Sequence, residues 1–154
     1  MPPLFPFGFG LSYTKWRYHP TIRWESATST ATVTLTNIGT ITSDHVILLF
    51  ARRIPDSNTH SNPLPNRYPS AESRVHPHSL AESALDFGTS PKQSLVGFKR
   101  VQEVAPGRSV TVSFALDRAT AFALVDVHGH THYPNSWWEL FVGPDVVTRA
   151  VIEV

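Results

Sequence analysis

The 154-residue chain predicts an all-β fold, an antiparallel β-sandwich, on three observations. Thr, Ser or Ala alternates with Val, Leu or Phe at residues 32–36 and again at 110–116, which is the two-residue period of half-buried strands. Turn signals such as Asn37-Ile38-Gly39 and Pro106-Gly107 flank these runs. Composition agrees: 13 Pro, 8 Gly and only 16% charged residues suit a turn-rich β protein better than a helical one.

Each segment has its own reason. Residues 1–14 are aromatic and glycine-rich, and Pro2, Pro3 and Pro6 block a helix. An extended segment that lays its rings on another surface is expected there. Residues 1–28 are read as this lead-in plus a first strand, and residues 29–154 as the sandwich proper. Thr32 to Thr36 form a strand, and Asn37 and Gly39, both tolerant of positive φ, end it. His45 to Ala51 contains VILLF, apolar at every position, as in the centre of a sheet. Residues 52–90 hold Pro55, Pro63, Pro65, Pro69 and Pro77 among many Ser and Asn, so a long, disordered loop is expected. Leu95 to Val101 resumes the order, and Val110 to Leu116 is the clearest strand. Ala119 to Leu124 suits one helical turn before a short strand ending near Asp126. His128-Gly129-His130 suits a hairpin turn. Trp137 to Val142 and Val146 to Val154 close the sequence as strands. No internal repeat is present.

Several function classes are excluded. A formal net charge of +1 gives no electrostatic footprint for nucleic acid. No apolar run approaches the roughly 18 residues of a membrane span. MPPLFPFGFG lacks a basic n-region and an unbroken apolar h-region, so no export signal is expected in it. Absence of Cys removes thiolate zinc sites, thiol catalysis and disulfide scaffolds. Ser12, Ser94 and Ser109 lack a G-x-S-x-G context, and no Walker or Rossmann glycine pattern occurs.

Five words of the sequence go further. LFPFGFGLSYTKW (4–16), TVTLTNIG (32–39), LVGFKRV followed by APGRSVTVSF (95–114), ALVDVHGHTHYP (123–134) and WELFVG (138–143) stand in one order. In that order they resemble the C-terminal domain of family-3 glycoside hydrolases, the β-glucosidases and β-xylosidases. The spelling leans toward the β-xylosidases. The resemblance covers nearly the whole chain except 52–90. It implies a fibronectin type III-like (immunoglobulin-like) sandwich. It also implies that the nucleophile and the acid/base residue lie in upstream domains that these words do not include, so no catalytic residue is carried onto this sequence. The implied role is a non-catalytic accessory domain of a β-glycosidase that hydrolyses O-glycosyl bonds, extracellular when the parent enzyme is secreted. A stand-alone carbohydrate-binding module is the alternative, and a minimal glycosidase a third. One departure stands out: Pro134 is followed by Asn135-Ser136 where the family commonly has Pro-Gly, and the turn is expected to survive because Asn tolerates positive φ.

Candidate site residues follow. Phe5, Phe7, Phe9, Leu11 and Tyr13 form an apolar stripe expected to brace the sandwich against catalytic domains. Tyr133, Trp137 and Trp138 are candidates for stacking on a sugar ring, although Trp137 and Trp138, as strand neighbours, must point to opposite sides. Trp16 and Trp24 are weaker candidates. Asp117, Asp126 and Glu139 are the carboxylates to weigh for glycoside hydrolysis, which needs a facing pair; capping and solvated roles are expected instead. His128, His130 and His132 share a spacing of two, but with no evident fourth ligand a polar hairpin is expected and no metal or cofactor. Partners are the catalytic domains and a β-linked oligosaccharide, with neither nucleic acid nor membrane.

Overall fold

The computed structural model describes residues 4–5, 9–54, 91–143 and 148–154. Among the described residues, ten strands and one short helix follow one another: β1 (Trp16–Tyr18), β2 (Arg23–Glu25), β3 (Thr30–Asn37), β4 (Ser43–Arg53), β5 (Ser94–Val104), β6 (Ser109–Ala115), α1 (Arg118–Ala121), β7 (Leu124–Val125), β8 (Thr131–His132), β9 (Trp137–Val142) and β10 (Thr148–Glu153). They build a two-sheet sandwich. In the first sheet β3 pairs with β6 on one edge and with β1 and β2, end to end, on the other. The second sheet has the order β10-β9-β4-β5, all antiparallel. β7 and β8 form a separate small hairpin.

The alternation read from β3 is borne out. Ala31, Val33 and Leu35 point inward against Phe114, Val112 and Val110 of β6. The inner face of the second sheet supplies Ile47, Leu49, Ala51, Trp138, Leu140, Val142 and Ile152. Gly97 of β5 makes room for Phe114, since a Cβ there would lie 2.9 Å from the ring.

The structure differs from the sequence reading at four places. Two short strands, not one, precede residue 29. Pro20 has no N–H to give β3, and residues 20–22 swing toward β10, where Thr21 bridges Arg149. β4 runs on to Arg53 because Arg52 and Arg53 stay paired with β9; the expected loop thus starts later, and its residues 55–90 lie outside the described residues. The turn after β3 uses no positive φ at Asn37 or Gly39. Asn37 instead accepts the Gly39 N–H in its own side chain, and glycine is required by crowding: a Cβ would stand 2.1 Å from Thr14 Oγ1. Asn135 is likewise outside the positive-φ region, which Ser29 and Glu103 occupy unexpectedly. At Glu103 the reason is a register shift in the β4–β5 pair, where Asp44 Oδ1 accepts the Glu103 N–H at 2.8 Å.

Candidate functional site

The lead-in segment is rooted firmly and exposed beyond its root. Thr14 is buried and donates its hydroxyl to Asn37 Oδ1 at 2.7 Å. Asn37, fully buried, also donates its amide to Ile41 O and Val104 O, both at 2.8 Å. One side chain thereby ties the lead-in, the β3–β4 turn and the end of β5 together. Lys15 O accepts from Ile38 N, and the Trp16 indole N–H reaches Ser12 Oγ at 3.1 Å. Trp16 stacks on His45 at 4.7 Å, and Tyr18 O–H lies 2.7 Å from His45 Nε2. Burial pushes the Tyr18 phenol up to about 12 and lowers the His45 pKa. The phenol thus stays protonated and the imidazole neutral at pH 7, and the two share a hydrogen bond across the seam between the two sheets, its direction set by the His45 tautomer. Beyond this root Leu11 and Tyr13 are 94% and 93% exposed, Leu4, Phe5 and Phe9 are exposed too, and Phe5 stacks on Phe9 at 4.8 Å. Phe7 lies outside the described residues.

The three carboxylates are each engaged by their own neighbours. Asp117 caps α1, accepting the Ala119 N–H at 3.1 Å. Asp126 organises the β7–β8 turn: Oδ1 accepts the His128 and His130 N–H groups, and Oδ2 lies 2.9 Å from His132 Nε2 and 3.3 Å from His130 Nδ1. The His132 ring, then the two backbone N–H groups, hold its carboxyl well below the usual range. Among the described residues no group of three or more His, Asp or Glu is arranged to hold a metal. Glu139, 1% exposed, sits between Arg52 and Arg149, with Oε2 at 2.5 Å from the first and Oε1 at 3.2 Å from the second. Nothing in the local sequence announces this cluster, because Arg52 comes from β4, 87 positions away, and Arg149 reaches it only across the β9–β10 pair.

The aromatic candidates separate as the pleat requires. Trp137 is half-exposed and Trp138 is 3% exposed, so Trp138 offers no face to a sugar. Its ring instead meets Phe122 at 5.2 Å, and Phe122 meets Trp24 edge-on at 6.3 Å. Both indole N–H groups of this cluster are buried without an acceptor among the described residues. Tyr133 stays exposed and lines a hollow of about 300 Å³ with Arg118, Ala119, Phe122, Pro134, Asn135 and Val154. Sequence reasoning missed Arg118, which only the fold brings beside Tyr133.

Known proteins share this architecture. Residues 82–146 match the fibronectin type III-like domain. The chain contains a fibronectin type III-like domain. A β-xylosidase of Formosa agariphila is 32% identical over 119 residues, covering 74% of this chain and 12% of that enzyme. A Streptomyces venezuelae β-glucosidase structure aligns with 99% of the chain and 16% of its own at TM-score 0.65 and 24% identity. One from Bifidobacterium adolescentis covers 97% and 18% at TM-score 0.64 and 22% identity. The chain thus spans less than a fifth of each of these enzymes, in agreement with the resemblance to family-3 glycoside hydrolases.

Proposed function

We propose that this domain is a non-catalytic accessory module that packs against the catalytic domains of a family-3-type β-glycosidase, a β-xylosidase by preference. One observation carries the reading: a lead-in segment is clamped at Thr14 and Trp16 while Leu4, Phe5, Phe9, Leu11 and Tyr13 stay uncovered. Rings held in place and exposed suit a surface that a neighbouring domain covers. The carboxylates support it, since Asp117, Asp126 and Glu139 are each engaged in holding the fold. The partner sugar chemistry and an extracellular setting come with the parent enzyme.

Two measurements test it. The purified chain should not hydrolyse aryl β-xylosides or β-glucosides; turnover abolished by Glu139→Gln would overturn the reading. The chain should also self-associate through its uncovered rings. A truncation that starts at Ser12, keeping the Thr14 anchor, should sediment as a monomer, and unchanged sedimentation would count against bracing.

A second reading, a stand-alone carbohydrate-binding module, is favoured by the exposed Tyr133 beside a hollow.

A further inference from the structure

We propose that the hollow between α1 and residues 133–135 is a saccharide subsite, with Tyr133 as its stacking face and Arg118 as its polar arm. The ligand class rests on the accessory-domain reading; the site itself rests on its geometry. A sugar ring is two-sided, with C–H groups on one face and hydroxyls around the rim. The hollow is two-sided in the same way. Tyr133, 61% exposed, offers an aromatic face, and Ala119, Phe122, Pro134 and Val154 make the apolar wall. Arg118 and Asn135 stand among the lining residues as planar polar groups.

Two observations make this more than an exposed tyrosine. Neither the Tyr133 hydroxyl nor the Arg118 guanidinium has a hydrogen bond or ion pair among the described residues. The neighbouring Asp117 carboxylate is already turned to Ala119 N and Thr120 Oγ1. Both donors are thus available to a ligand, and among the described residues no Asp or Glu side chain lines the hollow. The wall is also stiff. Phe122 is wedged between Trp24 and Trp138, so the site is formed before a ligand arrives. A volume of about 300 Å³ lies at the small end of ligand sites and suits one or two rings.

The same wedge supplies the reporter. Tryptophan fluorescence of the full chain is followed while xylotriose, cellotriose or glucuronic acid is added. A saturable change with half-saturation in roughly the millimolar range is expected for at least one of them. Tyr133→Ala and Arg118→Gln should each weaken it by about fivefold or more, while Phe98→Leu, outside the hollow, should leave the midpoint unchanged. Amide signals of Ala119, Phe122 and Asn135 should move with the same midpoint, which keeps the test decisive if a variant folds poorly. No saturable change up to about 50 mM, or a change that both variants leave intact, overturns the subsite. Such a failure would leave the accessory reading standing, because that reading is judged by hydrolysis and sedimentation.

Discussion

The two sheets turn very different outer faces away from the common core. The back of the first sheet is a ladder of hydroxyls: Thr32 with Ser113 at 3.2 Å, Thr34 with Thr111 at 2.9 Å and Thr36 with Ser109 at 2.8 Å. The back of the second is buried and mixed. Phe50 and Phe141 stack at 5.5 Å, Arg52 lies 5.6 Å from the Phe141 ring, and Glu139 is enclosed between two arginines. Val46, Leu95 and Phe98 extend that face into exposed apolar surface. A hydroxyl ladder is what a solvated face needs, because each group satisfies its neighbour or water at little cost. An enclosed carboxylate is costly unless its partners are in place. The second face is therefore the one where removing a partner costs more, and its exposed apolar residues give it more capacity to meet another surface.

The largest expected break in this comparison is at Glu139. Glu139→Ala leaves Arg52 and Arg149 without their shared anion, and both are 41% exposed, so water recovers part of the loss. A destabilisation of about 2 kcal/mol is expected, below the range for fully buried pairs. Urea unfolding measures it, and a change under about 0.5 kcal/mol would make the two faces energetically alike.

The seam between the sheets gives a smaller effect that responds to pH. His45 has its folded pKa lowered by burial, so the unfolded chain binds a proton more readily than the fold does. The His45 contribution is complete above about pH 6.5 and is lost as pH falls through the lower folded value. Unfolding midpoints of the wild type should drop between about pH 7.5 and about pH 5 more than those of His45→Gln. Parallel curves for the two proteins would remove His45 from the seam's energetics.

The smallest effect belongs to the ladder. Thr34→Val with Thr111→Val removes one hydroxyl pair but keeps β-branched side chains, so stability should move by no more than about 0.5 kcal/mol in either direction. A loss above about 1.5 kcal/mol in the same unfolding assay would show that the first face matters to stability as much as the second.

Much of this was legible before the fold was known. The period of two in Thr30–Asn37 fixed which residues point inward, because successive side chains on a strand must alternate. The same rule separated Trp137 from Trp138. Asn37 was legible as a turn residue but not as the anchor of the lead-in, because its partners Thr14 and Val104 are distant in sequence. Glu139 read as an ordinary strand carboxylate for the same reason.

Sequence alone determined the fold class and the sites of most turns, since these depend on local backbone preference and on side-chain alternation, while the family likeness rested on five words and their order. Tertiary structure decided which carboxylate is enclosed, which rings stay uncovered and which arginine stands beside Tyr133. Those outcomes depend on strand register and on the crossing between sheets, which place residues up to about a hundred positions apart within hydrogen-bonding distance.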